Sequence, residues 1–243
     1  MTDSAYLKRT VVKHEIACPL LASGSRPVRV YLPPGYQAVL SYPVVYCQDG
    51  EDFFNFGRIA TIANKLILDE DIEPFIIVGV DVDKKIRTEE YSPDGELFES
   101  YTRSFAEYIV PAIEKLYPVR TDWTNIIVAG DSLGGTVSLH LALLYPEKFR
   151  QIISLSGAYY AASQAIITEQ RDLSWLHLFM IVGLQETAFD TDRGTFNFVE
   201  LNRQARSLFA DRAANFHYEE LDGKHQWGFW QQHIPQALRF FLE

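Results

Sequence analysis

The sequence predicts an α/β fold: a mainly parallel sheet of about eight strands with helices on both faces. Short apolar runs rich in β-branched residues alternate with helix-period segments along nearly the whole chain. Residues 75–80 (Phe-Ile-Ile-Val-Gly-Val) have no polar side chain, as a strand covered on both faces requires. No repeat, low-complexity tract or linker interrupts the pattern, and a hydrophobic content of 47% suffices for one large core. Residues 1–243 therefore read as a single domain.

The elements follow in order. Extended segments at 9–17 and 27–32 have no helix between them and should pair antiparallel. Pro33-Pro34-Gly35 makes a turn. A strand at 43–47 runs into Gln48-Asp49-Gly50-Glu51-Asp52, read as a tight acidic loop, before a helix at 59–68. After the strand at 75–80, residues 84–99 carry turn formers without clean periodicity. They are expected to form a long loop at the strand ends, where such sheets place their sites. A helix at 101–116 leads to a strand at Ile126, Ile127 and Val128. A helix from Leu133, with Val137, Leu141 and Leu144 on its apolar face, stops near Tyr145-Pro146. Beyond it the pattern predicts strands at 151–155, 178–182 and 216–221, and helices at 161–168, 196–209 and 230–241.

The formal net charge of −10 argues against nucleic acid, an anionic membrane or a polyanionic substrate as partner, because the far field repels each. The two cysteines, Cys18 and Cys47, sit among apolar residues, with no disulfide framework and no metal-ligand spacing. Met1 to Thr10 carries Asp3 and no apolar run, unlike a secretory signal, and no stretch reaches the length of a bilayer span. A cytoplasmic protein is the expectation, with a homo-oligomer left open.

Val128-Ala-Gly130-Asp-Ser132-Leu-Gly134-Gly is the most informative stretch. A strand before it and a helix after it give Gly-x-Ser-x-Gly the setting of a strained turn that exposes a serine hydroxyl. Gly130 and Gly134 remove side chains that so tight a turn would clash. The helix N-terminus directs its free amides, Leu133 first, at the same spot, where they can hold an oxyanion.

A serine needs a base, and the base an orienting acid. Of six histidines, His140 and His233 fall within helices and His217 within a strand. His14 and His177 precede the expected position or begin a strand. His225 alone follows the last strand in a loop, Asp222-Gly223-Lys224-His225-Gln226-Trp227, and is the candidate base. Glu186, in Gly183-Leu-Gln-Glu186, stands nearest the end of the strand at 178–182 and is the preferred acid. Asp190 is its rival, and Asp192 lies in the same loop. A second oxyanion donor is expected from the loop after the strand at 43–47. The Glu51 amide is favoured, Gly50 or Asp52 are alternatives, and Gly50 would permit close approach to a ligand. Arg87, Tyr91 and Trp227 could line the cleft, although a salt-bridged arginine and a packed tyrosine fit equally well. Phe53, Phe54, Tyr159, Tyr160, Trp227 and Trp230 hint at an apolar or ring-bearing acyl group, with core the better account for more than half of them. No cofactor is implied.

These residues resemble the esterase D and enterochelin-esterase-like group of α/β hydrolases. The likeness rests on Gly130-Asp-Ser132-Leu-Gly-Gly, Leu144-Tyr-Pro-Glu-Lys-Phe149 and Ser154-Leu-Ser156-Gly157. It extends to Val30-Tyr-Leu-Pro-Pro-Gly-Tyr36, Tyr42-Pro-Val-Val-Tyr46, Asp49-Gly50 and Gly223-Lys-His225-Gln-Trp-Gly-Phe-Trp230. It covers about residue 28 to the C-terminus. It implies an α/β-hydrolase fold with Ser132 as nucleophile and His225 as base. Glu186 fits the group's Gly-x-x-acid step, whereas Asp49-Gly50 departs from the His-Gly step of most members. The expected activity is metal-independent hydrolysis of a small-molecule ester. An acyltransferase on the same triad and a non-catalytic binding member are the rivals.

Overall fold

The computed structural model describes residues 9–243, so the expectation drawn from Met1 to Thr10 lies almost wholly outside the described residues. The chain runs β1 (Thr10–Ala17), β2 (Ser25–Leu32), β3 (Val44–Cys47), α1 (Gly50–Asn55), α2 (Ile59–Asp69), β4 (Ile76–Val80), α3 (Arg87–Tyr91) and α4 (Phe98–Ser104). It continues through α5 (Val110–Leu116), β5 (Ile126–Asp131), α6 (Leu133–Leu144), β6 (Gln151–Leu155), α7 (Ala161–Glu169) and β7 (His177–Gly183). The last elements are β8 (Phe189–Thr191), β9 (Gly194–Phe196), α8 (Phe198–Phe209), β10 (Asn215–Leu221) and α9 (Trp227–Leu242).

Eight strands form one sheet in the order β1-β2-β4-β3-β5-β6-β7-β10. β1 pairs antiparallel with β2, as does β2 with β4; every later pair is parallel. The central strands are buried throughout because both faces are covered. Their side chains alternate between two cores. Val44 and Tyr46 point to the side covered by Phe105, Ile109 and Leu139, and Val45 and Cys47 to the side covered by Phe53, Ile59, Trp230 and Leu238. Both cysteines are buried and free. Among the described residues no helix is long and apolar enough to cross a membrane.

The sequence expectations need correction in three places. Residues 84–99 are not one long loop: α3 and the start of α4 lie within them. The acidic loop at 48–52 becomes helical at Gly50, with Asp49 in the left-handed region as its N-cap. The helix expected at 101–116 starts at Phe98 and has a π-turn at Phe105–Ile109. The wider turn precedes Pro111, which has no amide hydrogen to donate.

Candidate active site

The serine turn is built by close packing. β5 ends at Asp131, and Ser132 takes φ 52° and ψ −124°, a region that costs a non-glycine residue of order 1–3 kcal/mol. Two main-chain contacts hold it there: the Ser132 amide donates to Leu155 O at 2.9 Å, and the Ala158 amide donates to Ser132 O at 3.0 Å. A Cβ at Gly130 would lie 2.1 Å from the Gly134 carbonyl carbon, so only glycine lets β5 and α6 approach this closely. Leu133 opens α6, in the turn whose amides have no acceptor within the helix.

Facing this turn is a hydrogen-bonded chain of three side chains. His225 Nε2 lies 3.0 Å from Ser132 Oγ, and His225 Nδ1 lies 2.7 Å from Glu186 Oε2. Glu186 and His225 are 2% and 9% exposed, so both act away from bulk water. The second carboxylate oxygen accepts from the Ser156 hydroxyl at 2.7 Å and from the Gly183 amide at 2.8 Å. Ser156 is itself held by the Trp230 indole N–H at 2.8 Å. An imidazole with its proton on Nδ1 would donate to Glu186 Oε2 and leave Nε2 free to accept one from Ser132 Oγ.

Beside the first turn of α6, near Gly134, lies a charged cluster. Arg87 donates through two nitrogens to the two Asp49 carboxylate oxygens, both at 2.7 Å, and Lys84 donates to Asp49 Oδ1 at 3.0 Å. The Asp49 amide donates to the Tyr91 hydroxyl at 3.2 Å. Burial pushes the Asp49 carboxyl up, but the Arg87 and Lys84 charges outweigh it and hold it below its ordinary value. Among the described residues Asp131 has no such partner: Oδ1 is buried without a hydrogen bond, and burial followed by the Asp49 charge pushes its carboxyl up to about 7.

This geometry revises several expectations. Arg87 is salt-bridged to Asp49, one of the two readings weighed for it, and Tyr91 is fully buried against Tyr101. The Asp52 amide is taken by Asp49 O at 2.9 Å, which removes it as an oxyanion donor, and its carboxylate pairs with Lys84. Gly50 is required by close approach to β4: a Cβ there would lie 2.3 Å from the Gly79 carbonyl carbon. The Glu51 amide sits in the first turn of α1, with no helical acceptor, while its side chain pairs with Arg29. Asp190 accepts from Thr195 and Asp192 from Thr88, so the structure brings neither to the imidazole. Trp227 is half-buried between Phe53 and Trp230, and of the six aromatic residues singled out, Phe53, Tyr159 and Trp230 are core. His140 is buried against Ser163, and burial pushes its imidazole down to about 4. Sequence reasoning missed the parts played by Ser156 and Asp131. The Ser-Gly step closing β6 and the acid beside Ser132 were the available signals. Among the described residues no group of three or more His, Cys, Asp and Glu side chains is arranged to hold a metal ion.

Comparison with known proteins agrees with this architecture. The Bacillus subtilis (strain 168) protein YjcH is 35% identical over 215 residues, covering 88% of this chain and 90% of its own. A solved ferulic acid esterase superposes with a TM-score of 0.80 at 18% identity, covering 96% of this chain and 99% of its own. The ferric enterobactin esterase of Salmonella typhimurium gives a TM-score of 0.78 at 17% identity, over 96% of this chain and 58% of its own. A family model described as "Putative esterase" matches residues 22–241. With that match over nearly its whole length and an α/β-hydrolase architecture, the chain belongs to the esterase family.

Proposed function

We propose that the chain is a serine carboxylesterase in which Ser132, His225 and Glu186 act as nucleophile, base and orienting acid. One observation supports this above all: Ser132 Oγ, the His225 imidazole and the Glu186 carboxylate are joined in series at 3.0 and 2.7 Å. Ser132 Oγ attacks the ester carbonyl carbon as its proton passes to Nε2, and the carbonyl oxygen becomes an oxyanion held by the amides of Leu133 and Glu51. As the C–O bond to the alcohol breaks, Nε2 returns the proton to the departing oxygen, leaving acyl-Ser132. Water then attacks the acyl carbon, gives its proton to Nε2, and releases the carboxylic acid as the proton returns to Ser132 Oγ. Ester and water become acid and alcohol, with the protein unchanged.

The structural neighbour named a ferulic acid esterase makes esters of aromatic acids the first substrates to try. Ser132→Ala is expected to remain folded and to lose at least about 10⁴-fold in turnover on a short-chain nitrophenyl ester. A fluorophosphonate is expected to label wild type at Ser132 and not the variant. Near-wild-type hydrolysis by Ser132→Ala would falsify the assignment.

A further inference from the structure

The β8–β9 hairpin supplies none of the three relay residues, yet it lies against His225. Its strands pair antiparallel from Phe189 and Phe196 to a tight turn at Asp192 and Arg193, where Gly194 has φ 120°. At its base, the Phe189 ring packs against the His225 imidazole with centroids 4.2 Å apart. At its tip, Asp192 Oδ2 accepts from Thr88 Oγ1 at 2.5 Å, and Arg193 donates to both Asp94 oxygens at 2.8 and 3.0 Å. Thr88 follows Arg87, the residue that clamps Asp49. The hairpin thus begins beside the imidazole and is fastened at its tip to α3 and the turn that follows it.

We propose that this hairpin is a specificity strap: Phe189 forms the apolar wall for the alcohol half of the ester, and the Asp192 and Arg193 contacts limit how large that half can be. The proposal rests on the assignment of Ser132 and His225 given above. His225 Nε2 delivers the proton to the leaving oxygen, so that oxygen must come within hydrogen-bond reach of the ring that Phe189 touches. Phe189 remains 37% exposed there, with surface free to cover an apolar group. The fastening is light. Asp94 and Arg193 side chains are 50% and 26% exposed, and ion pairs so placed contribute little. A bulky alcohol can displace the tip, a small one need not.

Methyl and benzyl butyrate share an acyl group and differ only in the alcohol, so the ratio of their kcat/KM values isolates the proposed wall. Phe189→Ala is expected to lower the benzyl-to-methyl ratio about tenfold, and Phe189→Leu to restore most of it. If Phe189 merely supported His225, both esters would lose equally and the ratio would not move. Arg193→Ala is expected to raise the ratio for a naphthylmethyl ester over the methyl ester several-fold, and to speed amide hydrogen exchange in residues 189–196. Exchange reads the fastening without any chemistry at Ser132. An unchanged ester ratio in Phe189→Ala, or unchanged hairpin exchange in Arg193→Ala, overturns the strap while leaving the nucleophile standing. Activity surviving in Ser132→Ala overturns the nucleophile and the strap together.

Discussion

Two buried carboxyls within the site have opposite fates, and each yields a test. Glu186 accepts from the Ser156 hydroxyl and the Gly183 amide and lies against the imidazole Nδ1. Glu186→Gln keeps the shape but turns an NH₂ or a neutral oxygen toward Nδ1, which no longer fixes the tautomer. Turnover should fall roughly 10³–10⁴-fold with the melting temperature little changed; a loss under tenfold would remove Glu186 as the orienting acid. Asp131 is the reverse case, buried beside Asp49 with Oδ1 unpaired and its carboxyl raised to about 7. The raised value means the folded state keeps a proton that the unfolded state releases near pH 4. Stability attributable to Asp131 is therefore full below about pH 4 and is lost as pH rises toward 7. Asp131→Asn cannot ionise, so its stability relative to wild type should grow across that window, by on the order of 2–4 kcal/mol. Urea denaturation of both proteins at pH 4.5 and 7.5 measures this, and a pH-independent difference would show that Asp131 titrates normally.

Elements differ in how much of themselves the chain displays, and the short ones display least. β4 and β5 were legible because a strand covered on both faces needs apolar residues at every position. The turn between β5 and α6 was legible because its packing admits so few side chains. Gly130→Ala places a methyl group on the α6 main chain and is expected to cost about 2–4 kcal/mol, lowering Tm by roughly 5–15 °C. A melting curve superimposable on wild type would contradict the close packing. By contrast α1 and α3 have six and five residues, too few to show a helical period, and β8 and β9 have three each and are largely exposed. Missing the hairpin is why Glu186, Asp190 and Asp192 could not be separated by spacing alone. Once residues 189–196 fold back on themselves, the two aspartates turn to Thr195 and Thr88, and Glu186 alone stays beside β7. Arg87 was ambiguous for a similar reason, since its partner Asp49 is 38 residues away in sequence.

At the scale of the whole molecule, sheet order does the gathering. The Asp49 turn, Ser132, Ser156, Glu186 and His225 follow β3, β5, β6, β7 and β10, which are consecutive neighbours in the sheet. Parallel strands put all their carboxyl ends on one rim, so residues spread from 49 to 225 meet there without any local sequence relation. The least supported member of the series is β10, an edge strand that among the described residues pairs only with β7 and is only partly buried. What holds the His225 loop against the rim is α9, which starts two residues later and buries Phe229, Trp230, Ile234 and Leu238. Leu238 is fully buried at the far end of that helix, away from the relay. Leu238→Ala removes its methyl groups and leaves a cavity, at about 2–5 kcal/mol. That is a large share of the 5–15 kcal/mol typical of a folded chain, so Tm should fall by roughly 5–20 °C. If α9 anchors the rim as one cooperative unit, loss of esterase activity and of helical circular dichroism should move down together in temperature. kcat/KM on a short ester at 20 °C should stay within about threefold of wild type, because the hydrogen-bonded series is untouched while the protein is folded. Activity that failed well below the circular-dichroism transition would mean that the His225 loop melts separately and that α9 does not hold it.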